Sequence, residues 1–197
     1  MTRCFLAFEL SEDSRAYLAE RARALHARLA GELGWPVRLV PPDNWHATLL
    51  FFDDLDPAQR EAAWGPVAEG ARAGAWRGLA FAWRGFALWP SPRRPSLVCL
   101  EGDEYPGTAG WPVAPLLAQE PFCRGDVAHF RRYRPHVTVM RLRRGRHRLW
   151  ARDWEGLSGA LPAIEPGRVR FDRVSFFLST LSRDAPIYPR ERTAPLG

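Results

Sequence analysis

Lysine is absent from this sequence. All 28 of its Lys+Arg cations are arginines, in a chain of 197 residues. No covalent lysyl-nucleotidyl intermediate can form on such a chain, which excludes an ATP-dependent ligase of that kind. Cysteine is scarce: Cys4, Cys99 and Cys123 are widely spaced and make no Cys-x-x-Cys pair. Neither a disulfide framework nor a zinc ribbon is expected, and the thiols read as buried and reduced. No apolar run approaches the roughly 18 residues that a membrane-spanning helix needs. The uncharged stretch between Arg3 and Glu9 is too short for the apolar region of a secretory signal. A soluble, cytoplasmic protein without a membrane partner is expected. No Gly-x-Ser-x-Gly elbow occurs, so serine-histidine-aspartate chemistry has no support.

What is present belongs to an ordinary globular chain. Hydrophobic residues make up 46% and charged residues 25%, which predicts a packed core. No low-complexity block or long linker divides the chain, so residues 1–197 read as one domain. The net charge is +6. The abundance of Ala, Arg, Gly, Pro and Trp fits a bias of nucleotide composition, but that does not explain where the arginines sit. Nine of them fall between Arg131 and Arg152 with no Asp or Glu among them, a local field that attracts phosphates.

The element pattern mixes strands and helices. Arg3 to Leu10 reads as a strand. Ser11 is placed to cap a helix with Glu12 and Asp13 in its first turn, and Leu18, Ala22, Leu25 and Leu29 give that helix one apolar stripe. Trp45 to Phe52 is strand-like, and Pro57 to Arg72 a helix with proline in its first turn. Further strands are predicted at Leu79 to Leu88, Ser96 to Glu101, Arg134 to Arg141, Val169 to Leu178 and Ile187 to Arg192. Prolines interrupt the helical pattern between Thr108 and Cys123, and Arg143 to Arg148 reads as a solvated hairpin tip. Most strand neighbours can be antiparallel, so the class is α+β.

Two segments carry chemistry: Trp45-His46-Ala47-Thr48-Leu49 and Pro135-His136-Val137-Thr138-Val139. Each is His-x-Thr within an apolar strand. Alternation puts His46 and Thr48 on one face, as it does His136 and Thr138, with Ala47 and Val137 turned to a core. Face to face, two imidazoles act as base and acid in one displacement, and two hydroxyls donate to the phosphate oxygens between them. No Asp, Glu or Cys lies within two residues of either histidine, so no metal site is expected.

These segments resemble the two signature motifs of the two-histidine phosphoesterases, in particular the RNA 2′,3′-cyclic phosphodiesterases once described as 2′-5′ RNA ligases. The resemblance runs through Arg3-Cys-Phe-Leu-Ala-Phe, Val40-Pro-Pro-Asp-Asn-Trp-His46, Gly85-Phe with Trp89-Pro, Tyr133-Arg-Pro-His136 and Pro186-Ile-Tyr188. It departs at Phe52-Asp53, where Leu-Gly is usual, and at Ala185, where Gly is usual. The resemblance implies a bilobal α+β fold, two antiparallel-sheet lobes with outer helices related by a pseudo-two-fold axis around a central cleft. It implies hydrolysis of an RNA 2′,3′-cyclic phosphate to a 2′-phosphate with no metal or cofactor, His46 as proton donor and His136 as proton acceptor. Thr48 and Thr138 then hold the non-bridging oxygens, and Arg141 offsets developing charge. Arg141 lies five residues after His136 and in a regular strand faces away from it, so it is either a solvated arginine or one redirected to the site by a strand end or bulge.

Tyr133 suits either stacking on a base or packing in the core, and Arg132 and Arg134 are placed to contact RNA phosphates. Trp45 suits either stacking or the core, and His26, His129 and His147 read as surface residues. The expected partner is an RNA or oligonucleotide end carrying a cyclic phosphate, bound by a monomer. Two other readings use the same residues: a non-catalytic RNA-binding protein, and ligation of RNA ends through a 2′-5′ linkage.

Overall fold

The structure is a computed structural model that describes residues 3–77, 79–103, 105–106, 132–143, 147–179 and 188–197. Its strands are β1 (Arg3–Leu10), β2 (Val37–Leu39), β3 (His46–Asp54), β4 (Trp83–Trp89), β5 (Leu97–Gly102), β6 (Tyr105–Pro106), β7 (Arg132–Tyr133), β8 (His136–Leu142), β9 (Phe171–Ser179) and β10 (Arg190–Pro195). The helices are α1 (Glu12–His26), α2 (Pro57–Arg72) and α3 (His147–Ser158). The class is α+β, as expected. Every strand pairing is antiparallel, and the main sheet runs β10-β9-β1-β3-β8-β5-β4 with β2 on the other stretch of β8.

The two lobes meet at the middle of this sheet. One consists of β10-β9-β1-β3, the other of β8-β5-β4, and they join where Ala47 on β3 pairs with Val137 on β8. The sheet face carrying Cys4, Leu6, Phe8 and Leu10 of β1 covers the main core with α1 and α2. The opposite face carries Phe5, Ala7 and Phe177, a smaller apolar cluster topped by Tyr188. That second face is the floor of the cleft.

Local sequence explains the helix boundaries. Ser11 caps α1, its hydroxyl accepting from Ser14 N at 3.3 Å. Asp56 and Gln59 form a reciprocal capping box at α2, both bonds 2.9 Å, with Pro57 at the first helical position, where its missing N–H costs nothing. After α1 the chain widens into a π-type turn over Ala27–Glu32 and leaves it at Gly34, whose φ of 64° only glycine adopts readily.

Several boundaries differ from the sequence reading. β4 begins at Trp83, because Phe81 turns into the core and packs on Trp83, Tyr133 and Phe171. β10 spans Arg190–Pro195, shifted towards the C-terminus by its pairing with β9. The three residues of β2 went unread between Gly31 and Pro42. The predicted hairpin tip is replaced from His147 by α3, whose Trp154 and Leu157 are buried while Trp35 donates its ring N–H to Asp153 at 3.2 Å. The arginine-dense composition had hidden that short apolar stripe. The proline-interrupted segment 108–123, Cys123 and His129 lie outside the described residues. No helix among the described residues is long and apolar enough to cross a membrane.

Candidate active site

The central strands bring both His-x-Thr pairs together. Extending the Ala47–Val137 register places His46 opposite Thr138 and Thr48 opposite His136. The two histidines thus flank the one bridge between the strands from opposite sides, close enough for the His136 charge to act on His46. All four side chains are half-buried, whereas Ala47 and Val137 between them are fully buried. One face of the sheet thus presents two imidazoles and two hydroxyls around a gap.

The backbone fixes both imidazoles in the same way. Nδ1 of His46 lies 2.7 Å from the Asn44 carbonyl, and Nδ1 of His136 lies 3.1 Å from the Arg134 carbonyl. A carbonyl only accepts, so Nδ1 carries a hydrogen in each ring and Nε2 is left for proton transfer. Aromatic rings back both imidazoles. Phe5 lies 5.0 Å from His46 and Tyr188 meets it edge-on at 5.4 Å, while Trp89 stacks on His136 at 4.2 Å. Burial pushes His46 down to about 4, and the nearby His136 and Arg141 charges add to that shift against the Asn44 carbonyl and Glu9. Burial also lowers His136, opposed by the Arg134 carbonyl and Glu101.

A pair of bulges completes the site. β1 pairs Leu6 with Leu50 and Ala7 with Thr48, leaving Leu49 extra; β5 pairs Val98 with Met140 and Cys99 with Thr138, leaving Val139 extra. Each bulge directly follows a His-x-Thr, and each buries two consecutive side chains, Leu49-Leu50 and Val139-Met140. The face of the next residue is thereby reversed. Arg141 returns to the cleft, where its guanidinium reaches the Tyr188 hydroxyl at 3.5 Å. Phe51, the counterpart five residues after His46, is 53% exposed beside Phe5. A cavity between β2 and the cleft is lined by Arg38, Asn44, Arg141 and Tyr188.

The family model described as LigT-like phosphoesterase matches residues 14–99. A curated relative, the RNA 2′,3′-cyclic phosphodiesterase of Methanothermobacter thermautotrophicus, is 31% identical over 94% of either chain. The chain belongs to the LigT-like branch of the two-histidine phosphoesterases. Escherichia coli LigT, solved with 3′-AMP, superposes with a TM-score of 0.56 at 18% identity, covering 98% of this chain and 97% of that one. A protein of Thermus thermophilus gives 0.55 at 19% identity over 98% and 97%. At such identities the two structures establish the fold.

Other residues singled out in the sequence of this phosphoesterase take different places. Tyr133 packs against the core, and its hydroxyl donates to the Thr48 carbonyl at 2.9 Å, tying one lobe to the motif strand of the other. Arg134 pairs with Glu101 and lies 5.7 Å from the Trp89 ring. Arg132 lies in β7, paired with Pro106. Trp45 is buried and donates to the Val40 carbonyl at 3.0 Å. Cys4 and Cys99 are buried and form no disulfide; burial pushes Cys99 up to about 12, and its sulfur lies 3.6 Å from the Thr138 hydroxyl. Among the described residues, no three His, Cys, Asp or Glu side chains gather as metal donors.

Glu9, Glu101, Phe51 and Trp89 were missed as members of the site. The signal for Phe51 was available, because it repeats the five-residue spacing of His136 and Arg141. The signal for the two acids was a lone carboxylate in an otherwise apolar strand.

Proposed function

We propose that this chain hydrolyses RNA ends bearing a 2′,3′-cyclic phosphate to 2′-phosphomonoesters, using paired histidines and no metal ion. The observation that carries this reading is the diagonal His46–His136 arrangement, each ring held through Nδ1 by the carbonyl two residues before it. In the reaction, water attacks phosphorus in line with the 3′ oxygen. His136 accepts the proton of the water through Nε2, the bond to the 3′ oxygen breaks, and His46 protonates that oxygen through its own Nε2. Thr48 and Thr138 donate to the non-bridging oxygens, and Arg141 balances the charge that develops there. The exposed Phe51 ring offers the terminal base a surface to stack on.

The name of the archaeal relative supports the substrate class, and the Escherichia coli neighbour of the same fold was solved with a nucleotide, 3′-AMP. His46, lowered to about 4 by burial, is neutral at pH 7. Donation therefore requires that the negative charge of the bound phosphate raise the proton affinity of His46, so that the ring takes up a proton from solvent before the leaving oxygen needs it. Incubation in EDTA with an RNA oligonucleotide ending in 2′,3′-cyclic phosphate, followed by identification of the monoester, tests the reading. A 2′-phosphate is expected. An untouched cyclic end, as a non-catalytic RNA-binding protein would leave it, or a 3′-phosphate overturns the reading.

A further inference from the structure

Glu9 is a carboxylate at 3% exposure on the cleft face of a strand whose other buried residues are all apolar, and the chemistry above does not use it. It occupies the position on β1 that pairs with His46. Arg190 from β10 grips both of its oxygens, at 2.8 and 2.5 Å, and the Ser175 hydroxyl from β9 donates to Oε1. Its other register partner, Arg173, is engaged by Asp172 at 3.0 and 3.1 Å. A buried ion pair of this kind adds little net stability, so its position beside His46 asks for another explanation.

The second lobe repeats the juxtaposition. Glu101 on β5 pairs with His136, is 9% exposed, and is bound by Arg134. Two buried carboxylates on two different strands each stand one strand away from a histidine of the dyad.

We propose that Glu9 is a positioning residue for His46: its carboxylate, fixed by Arg190 and Ser175, supplies the negative field under which His46 holds the proton it gives to the leaving oxygen. This rests on the reading of His46 as donor. Among the described residues, the other charged or titratable groups around the ring are His136 and Arg141 from β8 and Tyr188. The two from β8 both oppose protonation, as does burial itself; Glu9 acts with the Asn44 carbonyl on the other side. Arg190 offsets part of the Glu9 charge, which gives the proposal two handles of opposite sign.

The test follows the imidazole nitrogens of His46 by NMR as pH is varied, with kcat/KM measured on the cyclic-phosphate oligonucleotide. Glu9→Gln should lower the titration midpoint of His46, and kcat/KM near neutral pH should fall about tenfold for each unit lost. Glu9→Asp keeps the charge and should recover most of both. Arg190→Gln leaves the carboxylate less compensated and should raise the midpoint. If Glu9→Gln does not fold, the direction seen in Arg190→Gln decides. An unmoved midpoint, or movement of both variants in one direction, overturns the role of Glu9. His46→Ala turning over normally would instead overturn the donor reading, so the two failures are distinguishable.

Discussion

A histidine can serve as donor near neutral pH only if its surroundings return the proton affinity that burial removes. The native pKa of His46, about 4, lies below the ordinary imidazole value near 6.5. Above roughly pH 6.5 neither folded nor unfolded chain binds that proton. Below it the unfolded chain takes up a proton that the folded chain refuses, so this histidine removes stability as pH falls from 6.5 towards 4. Thermal unfolding across that window should show a steeper loss in the wild type than in His46→Gln; equal slopes would contradict the assignment. Bound anion should reverse the preference, so adenosine 2′-monophosphate should bind with net proton uptake near pH 7. Calorimetry in buffers of different ionisation enthalpy reads that uptake directly, and none would contradict the account.

At the scale of elements, the two bulges decide what faces the cleft. Period-two alternation along the strands was legible and put His46 with Thr48 and His136 with Thr138. It failed five residues on, because a bulge is a property of two strands and their register, and nothing in one strand announces it. The same limit hid Glu9 and Glu101, whose importance appears only once β1 and β5 are laid beside the motif strands. Tyr133 shows the converse limit: sequence left it between stacking and the core, and only the fold shows its hydroxyl on the Thr48 carbonyl.

Element contacts also hold His136 in place. Gly102 N donates to the Pro135 carbonyl at 2.8 Å, and a Cβ at Gly102 would lie 2.8 Å from the Pro135 ring and 3.1 Å from the Ala82 carbonyl. Gly102→Ala must therefore displace the segment leading into β8. It should cost about 1–3 kcal/mol, as overpacking does, and lower kcat more than KM, measured by denaturant unfolding and steady-state kinetics. Unchanged stability would show that the segment yields freely.

Across the whole molecule, the sheet joins two halves whose likeness is chemical as well as geometric. Each half contributes His-x-Thr, a bulge, an aromatic ring against the imidazole and a buried acid one strand away. The halves differ at the fifth residue, Phe51 in one and Arg141 in the other, which places an apolar surface and a cation at corresponding positions of one cleft. That asymmetry suits a substrate with a flat base at one end and an anion at the other. The central claim is that the two imidazoles act together, and single-turnover cleavage of a 2′,3′-cyclic-phosphate oligonucleotide in EDTA by wild type, His46→Ala and His136→Ala tests it most directly. Each substitution should slow the chemical step roughly 10²–10⁴-fold while the variants still bind the oligonucleotide; near-normal cleavage by either variant would contradict the account.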